Sequence, residues 1–153
     1  MTWNEAYFYQ LMLRTGLTEE FDAALDRMLE QENPLSDLAL SLCACGGDRN
    51  RQIHALSEYL LDADPREIQS NIVFSLVTDS LKRLYETQPE QLRQITKYMY
   101  RLAAATDWWM DDPWYTMYMM EDYYDEMLDG CITKENFFRC YHQLLYHGVV
   151  SQL

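Results

Sequence analysis

The sequence predicts an all-α fold, a single-domain irregular bundle of about eight helices arranged as stacked antiparallel hairpins over residues 1–153. Three observations carry this expectation. Residues that cap or stop helices recur at helical intervals, apolar residues step by three and four, and strand-like alternation of apolar and polar residues is almost absent. The composition suits a packed domain: 48% of residues are hydrophobic and 24% charged, and only five Gly and four Pro stand against 12 Tyr, five Phe, four Trp and nine Met. A chain of this size buries about two thirds of its unfolded surface, and low-complexity, collagen-like and linker-like classes are excluded.

The first helix is expected from about Thr2 to Thr15, stopped by Gly16, with Trp3, Tyr7, Gln10, Leu11 and Arg14 at its three-four steps. Thr18 is placed to cap the second, whose first turn carries Glu19 and Glu20 and whose stripe is Phe21, Leu25, Met28 and Leu29 before Asn33 and Pro34. Pro34 suits the first turn of a short third helix with Leu35, Leu38, Ala39 and Leu42, ended by Gly46 and Gly47. Asp48 starts the fourth, with Ile53, Leu56, Leu60 and Leu61 inward. Asp64, Pro65 and Glu67 combine an N-cap, a first-turn proline and a capping-box acid, opening a long fifth helix through Ile68, Ile72, Leu76, Leu81 and Leu84.

Gln88 and Pro89 break the pattern, and the sixth helix follows with Leu92, Ile95, Met99, Leu102 and Ala103 inward and a basic outer row. The seventh begins at Asp112 and Pro113 and stops near Asp129 and Gly130. The eighth runs from Thr133 to His147 on Phe137, Tyr141, Leu144 and Leu145 before Gly148. Helix pairs of about 40 residues could be degenerate repeats, but no self-similar signature recurs.

Twelve Lys and Arg against 25 Asp and Glu leave a formal charge of -13. Such a field repels nucleic acid and anionic lipid and attracts basic proteins, cationic ligands or divalent metals. The start, Thr2-Trp3-Asn4-Glu5, lacks a basic lead and an apolar run, and nothing approaches the roughly 18 to 20 apolar residues that span a bilayer, so a cytoplasmic protein without membrane contact is expected. Free thiols are expected for the same reason. Cys43 and Cys45, two apart on a helix, point to nearly opposite sides and cannot bridge.

The stretch Asn33-Pro34-Leu35-Ser36-Asp37-Leu38, followed by Cys45-Gly46-Gly47-Asp48-Arg49-Asn50, resembles a pattern in small uncharacterised all-helical proteins of Gram-positive bacteria. It covers under a fifth of the chain, and no activity or functional residue comes with it.

No residue pattern dictates a reaction. Cys43, Cys45, Cys131, Cys140, His54, His142 and His147 are metal-ligating types, but no Cys-x-x-Cys, His-Glu-x-x-His or Glu-x-x-His occurs, and buried cysteines acting as apolar fillers are the plainer reading. There is no Gly-x-Ser-x-Gly turn and no glycine-rich phosphate loop. His54 and Glu58, four apart, fit a surface pair better than a general base with its orienting carboxylate. Neither an enzymatic activity nor a cofactor is expected.

Between Arg101 and Lys134 lie eight acidic residues, no Lys or Arg, and Trp108, Trp109, Trp114, Tyr115, Tyr118, Tyr123 and Tyr124. On a helix from Pro113, one side carries Trp114, Met117, Met120, Tyr124, Met127 and Leu128, an ordinary core face. The other carries Tyr115, Tyr118, Asp122, Asp125 and Asp129, flanked by Glu126. Like-charge pairs at this spacing oppose the helix by a few tenths of a kcal/mol each, and Asp125, Glu126 and Asp129 crowd the end where the dipole favours cations. Something must compensate. From within, Arg93, Lys97 and Arg101, spaced by four on the preceding helix, could neutralise the row across a groove. From outside, a basic partner could do so, anchored on Trp108, Trp109, Tyr115 and Tyr118 and neutralising Asp122, Asp125, Glu126 and Asp129.

The leading expectation is therefore a small acidic helical interaction module docking a basic protein through these eight residues, with homo-oligomerisation left open. An inhibitor or immunity-type neutralising protein would use the same surface. A metal- or cationic-ligand-binding bundle is the third reading.

Overall fold

The computed structural model describes all residues from Met1 to Leu153. It is all-α, with eight α-helices and two short 3₁₀ turns. The helices gather into two compact units, Met1–Gln69 and Ser70–Leu153. No helix is long and apolar enough to cross a membrane.

The first unit holds α1 (Trp3–Thr15), α2 (Glu19–Gln31), α3 (Asp37–Ala44) and α4 (Arg49–Leu60). A capping box opens α1: the Thr2 hydroxyl accepts from the Glu5 amide at 3.1 Å, and the Glu5 carboxylate accepts from the Thr2 amide at 2.8 Å. Gly16, at φ 87°, ends it, because the left-handed turn that lets its N–H reach back to Leu13 and Met12 strains any residue with a Cβ. α1 packs chiefly on α4, and Ala6, Leu13, Phe21, Leu38, Leu42 and Leu56 form the buried centre. The buried Gln10 amide donates to the Ile53 carbonyl and the Ser57 hydroxyl. Arg49 grips Asp22 through two parallel hydrogen bonds of 2.6 and 2.8 Å, tying the start of α4 to α2.

The second unit holds α5 (Ser70–Thr87), α6 (Leu92–Ala104), α7 (Trp114–Leu128) and α8 (Lys134–His147). α6 and α7 form its most extensive pair, and α8 packs on α5 and α7. Trp114 is fully buried, edge-on to Phe74 at 5.1 Å, with its indole N–H donating to the Ser70 hydroxyl at 2.9 Å. Phe137 and Tyr141 of α8 are also fully buried, and the Tyr141 hydroxyl has no hydrogen-bond partner.

Several expected boundaries and faces shift. Thr18 makes no side-chain cap; its backbone is already helical, so its hydroxyl is not turned toward the free amides of α2. Pro34 lies ahead of α3, which starts three residues later because Ser36 supplies the capping oxygen, 3.2 Å from the Ala39 amide. The Asp64-Pro65-Glu67 signature makes one 3₁₀ turn instead of opening α5. The Asp64 carboxylate is held by the Arg66 amide at 2.9 Å and the Arg66 guanidinium at 2.8 Å, and Ile68 is extended. α5 begins at Ser70 and buries Val73, Phe74, Val77 and Leu81, while Ile72 is exposed, so its packed face is rotated from the expected one. Leu61 stands past the end of α4 and is 75% exposed. Leu128 shares the buried stripe of α7 but sits uncovered in its last turn.

Candidate functional site

The segment joining α6 to α7 sets the surface geometry. The Thr106 hydroxyl donates to the Ala103 carbonyl at 2.8 Å and accepts from the Trp108 amide at 3.2 Å, and the Asp111 amide closes onto the Trp108 carbonyl at 2.9 Å. Asp112, just ahead of α7, accepts through its carboxylate from the amide and hydroxyl of Thr116 in the first turn at 3.1 and 2.7 Å. This turn sends the two consecutive tryptophans to different destinations. Trp108 is half-buried, 5.9 Å from the core ring of Trp114, whereas Trp109 is exposed and lies 5.2 Å from Tyr118.

Tyr118 is the centre of an aromatic group on the outside of the α6–α7 pair. Tyr100 of α6 flanks it at 4.9 Å, and the planes of Tyr100 and Trp109 tilt 40° and 39° from that of Tyr118, so the rings splay instead of stacking face to face. Tyr100, Trp109 and Tyr115 are all exposed, and the neighbouring Met110 is 72% exposed. The Tyr118 hydroxyl is held in its neutral form by hydrogen bonding to Tyr100 and the nearness of that phenol, with Asp122 and Tyr115 adding to the upward shift of its pKa.

The acidic row is answered from within at one position. The Arg93 guanidinium meets Asp125 at 2.5 Å and lies 4.4 Å over the Tyr124 ring, and its pKa is raised by the Asp125 hydrogen bond. Lys97 and Arg101 are exposed and form no ion pair with the row. Asp122, Glu126 and Asp129 are exposed without a cation, the last two beside the left-handed Gly130 that ends α7.

Of the eight sequence-predicted residues, Trp109, Tyr115, Tyr118, Asp122, Glu126 and Asp129 thus keep accessible side chains, Asp125 is engaged by Arg93, and Trp108 is drawn toward the core. Tyr100 and Met110 belong to the same surface and were not singled out from the sequence. Tyr100 could have been found on the outer row of the sixth helix, three residues after Lys97, had the α6–α7 register been known.

The other chemically suggestive groups sit in the first unit and on α8. An open groove of about 750 Å³ between α3 and α4 is lined by Asp37, Asp48, Arg51, His54, Glu58 and Asp62 among others. His54 Nε2 and Glu58 Oε1 are 3.7 Å apart with 77% and 62% of their side chains exposed, the geometry of a surface pair. No three His, Cys, Asp or Glu side chains are arranged to hold a metal ion. All four cysteines are free; Cys45 and Cys140 are buried fillers, while Cys43 and Cys131 are exposed, contrary to a uniform filler role, because each falls on the solvent side of its turn.

No family model, no curated protein and no solved structure matches this chain.

Proposed function

We propose that the protein is a small helical interaction module that docks a basic protein through the outer surface of the α6–α7 pair. The observation that carries this reading is the exposed group of Tyr100, Trp109, Met110 and Tyr115 around the half-buried Tyr118, bordered by Asp122, in a chain whose residues 102 to 133 contain no Lys or Arg. Large amphipathic rings held by a rigid helix pair contribute most of the affinity at protein interfaces, and unpaired carboxylates around them select a positive partner and steer its approach. Four free thiols are in keeping with action in the cytoplasm.

Titration with a panel of folded basic proteins at low and high salt tests the reading. Saturable binding is expected at low ionic strength, weakening about ten-fold or more as salt rises. Replacing Asp122 and Asp129 together by lysine should remove most of that binding with the far-UV helical signal intact, since both are exposed and a cation at the end of α7 suits the helix dipole. Binding indifferent to this double reversal would refute the proposal, as would failure of every basic protein to bind.

A further inference from the structure

We infer that the docking surface is an arginine receptor: a partner's guanidinium packs on the rings of Tyr118, Tyr100 and Trp109 with Asp122 as its counter-ion. This rests on the docking reading above and specifies the chemistry of the occupant. The protein carries a filled example of the same pairing of ring and carboxylate around a guanidinium, there made by two adjacent residues. On α7, Tyr124 and Asp125 hold Arg93, the ring under the guanidinium at 4.4 Å and the carboxylate at 2.5 Å, and Glu121 adds its field. Toward the N-terminus of the same helix the residue types recur as Tyr118 and Asp122, spaced by four and therefore on one face. Here no cation is supplied from within, because Lys97 and Arg101 form no ion pair.

The unfilled position is better furnished with rings than the filled one. Tyr100 and Trp109 flank Tyr118 at 4.9 and 5.2 Å with splayed planes, and over a third of the surface of each flanking residue stays in solvent. Arginine suits this surface better than lysine. Its planar, weakly hydrated guanidinium can lie on an aromatic face while donating in parallel to a carboxylate, whereas an ammonium keeps its water. The exposed Met110 side chain offers apolar surface to the methylene stem. Lys97, three residues before Tyr100 on α6, shares a helix face with that ring, so it opposes an incoming guanidinium.

The test uses the intact chain, an alternating Gly–Arg peptide and its Gly–Lys counterpart, with calorimetry as readout. The expected results are tighter binding of the arginine peptide and a loss of about two- to five-fold on Tyr118→Leu and on Trp109→Leu, the range for a cation over an exposed ring. Tyr118→Phe, which keeps the ring, should bind as the unaltered protein does, and Lys97→Ala should bind more tightly. Thermal melts of each variant show whether the fold is kept, and Tyr118→Phe with Lys97→Ala keep the question answerable should a leucine variant unfold. Binding of both peptides with no preference for arginine, or a preference untouched by the ring substitutions, would overturn the inference and leave the docking reading standing. If neither peptide nor any basic protein binds, both fall.

Discussion

Removing Arg93 should cost the protein measurable stability, and removing Lys97 should not, although both belong to the basic row facing α7. The magnitude follows from the surroundings of each. The Arg93–Asp125 pair keeps 37% and 53% of its side-chain surface in water, so it is screened and worth about 0.5–1 kcal/mol. The guanidinium over Tyr124 adds about 0.5–1 kcal/mol. Arg93→Ala should therefore destabilise by about 1–2 kcal/mol, lowering the melting temperature by roughly 3–6 °C for a chain of this size. Lys97, exposed and without an ion pair, should change stability by less than about 0.5 kcal/mol when replaced by alanine. Thermal and urea unfolding followed by circular dichroism measure both, and a double-mutant cycle of Arg93→Ala with Asp125→Asn should isolate a coupling of about 0.5–1 kcal/mol that shrinks at high salt. A silent Arg93→Ala, or a Lys97→Ala as costly, would show that the acidic row is neutralised otherwise than described.

Two further outcomes bear on the packing that presents this surface. Tyr141→Phe should leave the protein as stable or raise its stability by about 1 kcal/mol, because the substitution deletes a fully buried hydroxyl that has no partner and whose ionisation burial strongly opposes; a fall in the urea midpoint would reveal a partner for that hydroxyl. The Asp22–Arg49 pair should show itself in acid. The Arg49 hydrogen bond holds the Asp22 carboxyl below its ordinary pKa, so its stabilisation is fully present above about pH 4, the unfolded value, and disappears as pH falls through the folded value. The stability difference between the protein and Asp22→Asn should thus be about 0.5–1 kcal/mol at neutral pH and vanish toward pH 2, given that the pair is about half exposed; a difference independent of pH would refute the assignment.

Helix ends were readable where a local signal had no competitor. Gly16, Thr133 and Gly148 act as their chemistry dictates, each using backbone groups within a turn of itself. The start of α5 was not readable, although Asp64-Pro65-Glu67 looks decisive, because Arg66 competes for the Asp64 carboxylate and the turn closes after three residues. The packed face of α5 was ambiguous for another reason: Ile72 and Leu76 form one apolar stripe and Val73, Val77 and Leu81 form its neighbour, and packing of Phe74 on Trp114 decides between them. The candidate surface followed the same division. Carboxylates at three-four spacing are visible in any helical reading of α7, and so is the basic row of α6. Which of Arg93, Lys97 and Arg101 meets a carboxylate depends on how the two helices are aligned, as does the meeting of Tyr100 with Tyr118. The fate of Trp108 depends on the hydroxyl of Thr106, a turn-forming contact that composition cannot announce.

Amide and aromatic-proton NMR of the labelled protein, titrated with the Gly–Arg peptide, addresses the docking surface most directly. The protein has a second acidic region in the groove between α3 and α4, so the location of the shifts is as informative as their size. Perturbations centred on Tyr100, Trp109, Met110, Tyr115, Tyr118 and Asp122 are the predicted result. Shifts confined to Asp37, Asp48, Glu58 and Asp62, or spread evenly over every exposed carboxylate, would contradict it.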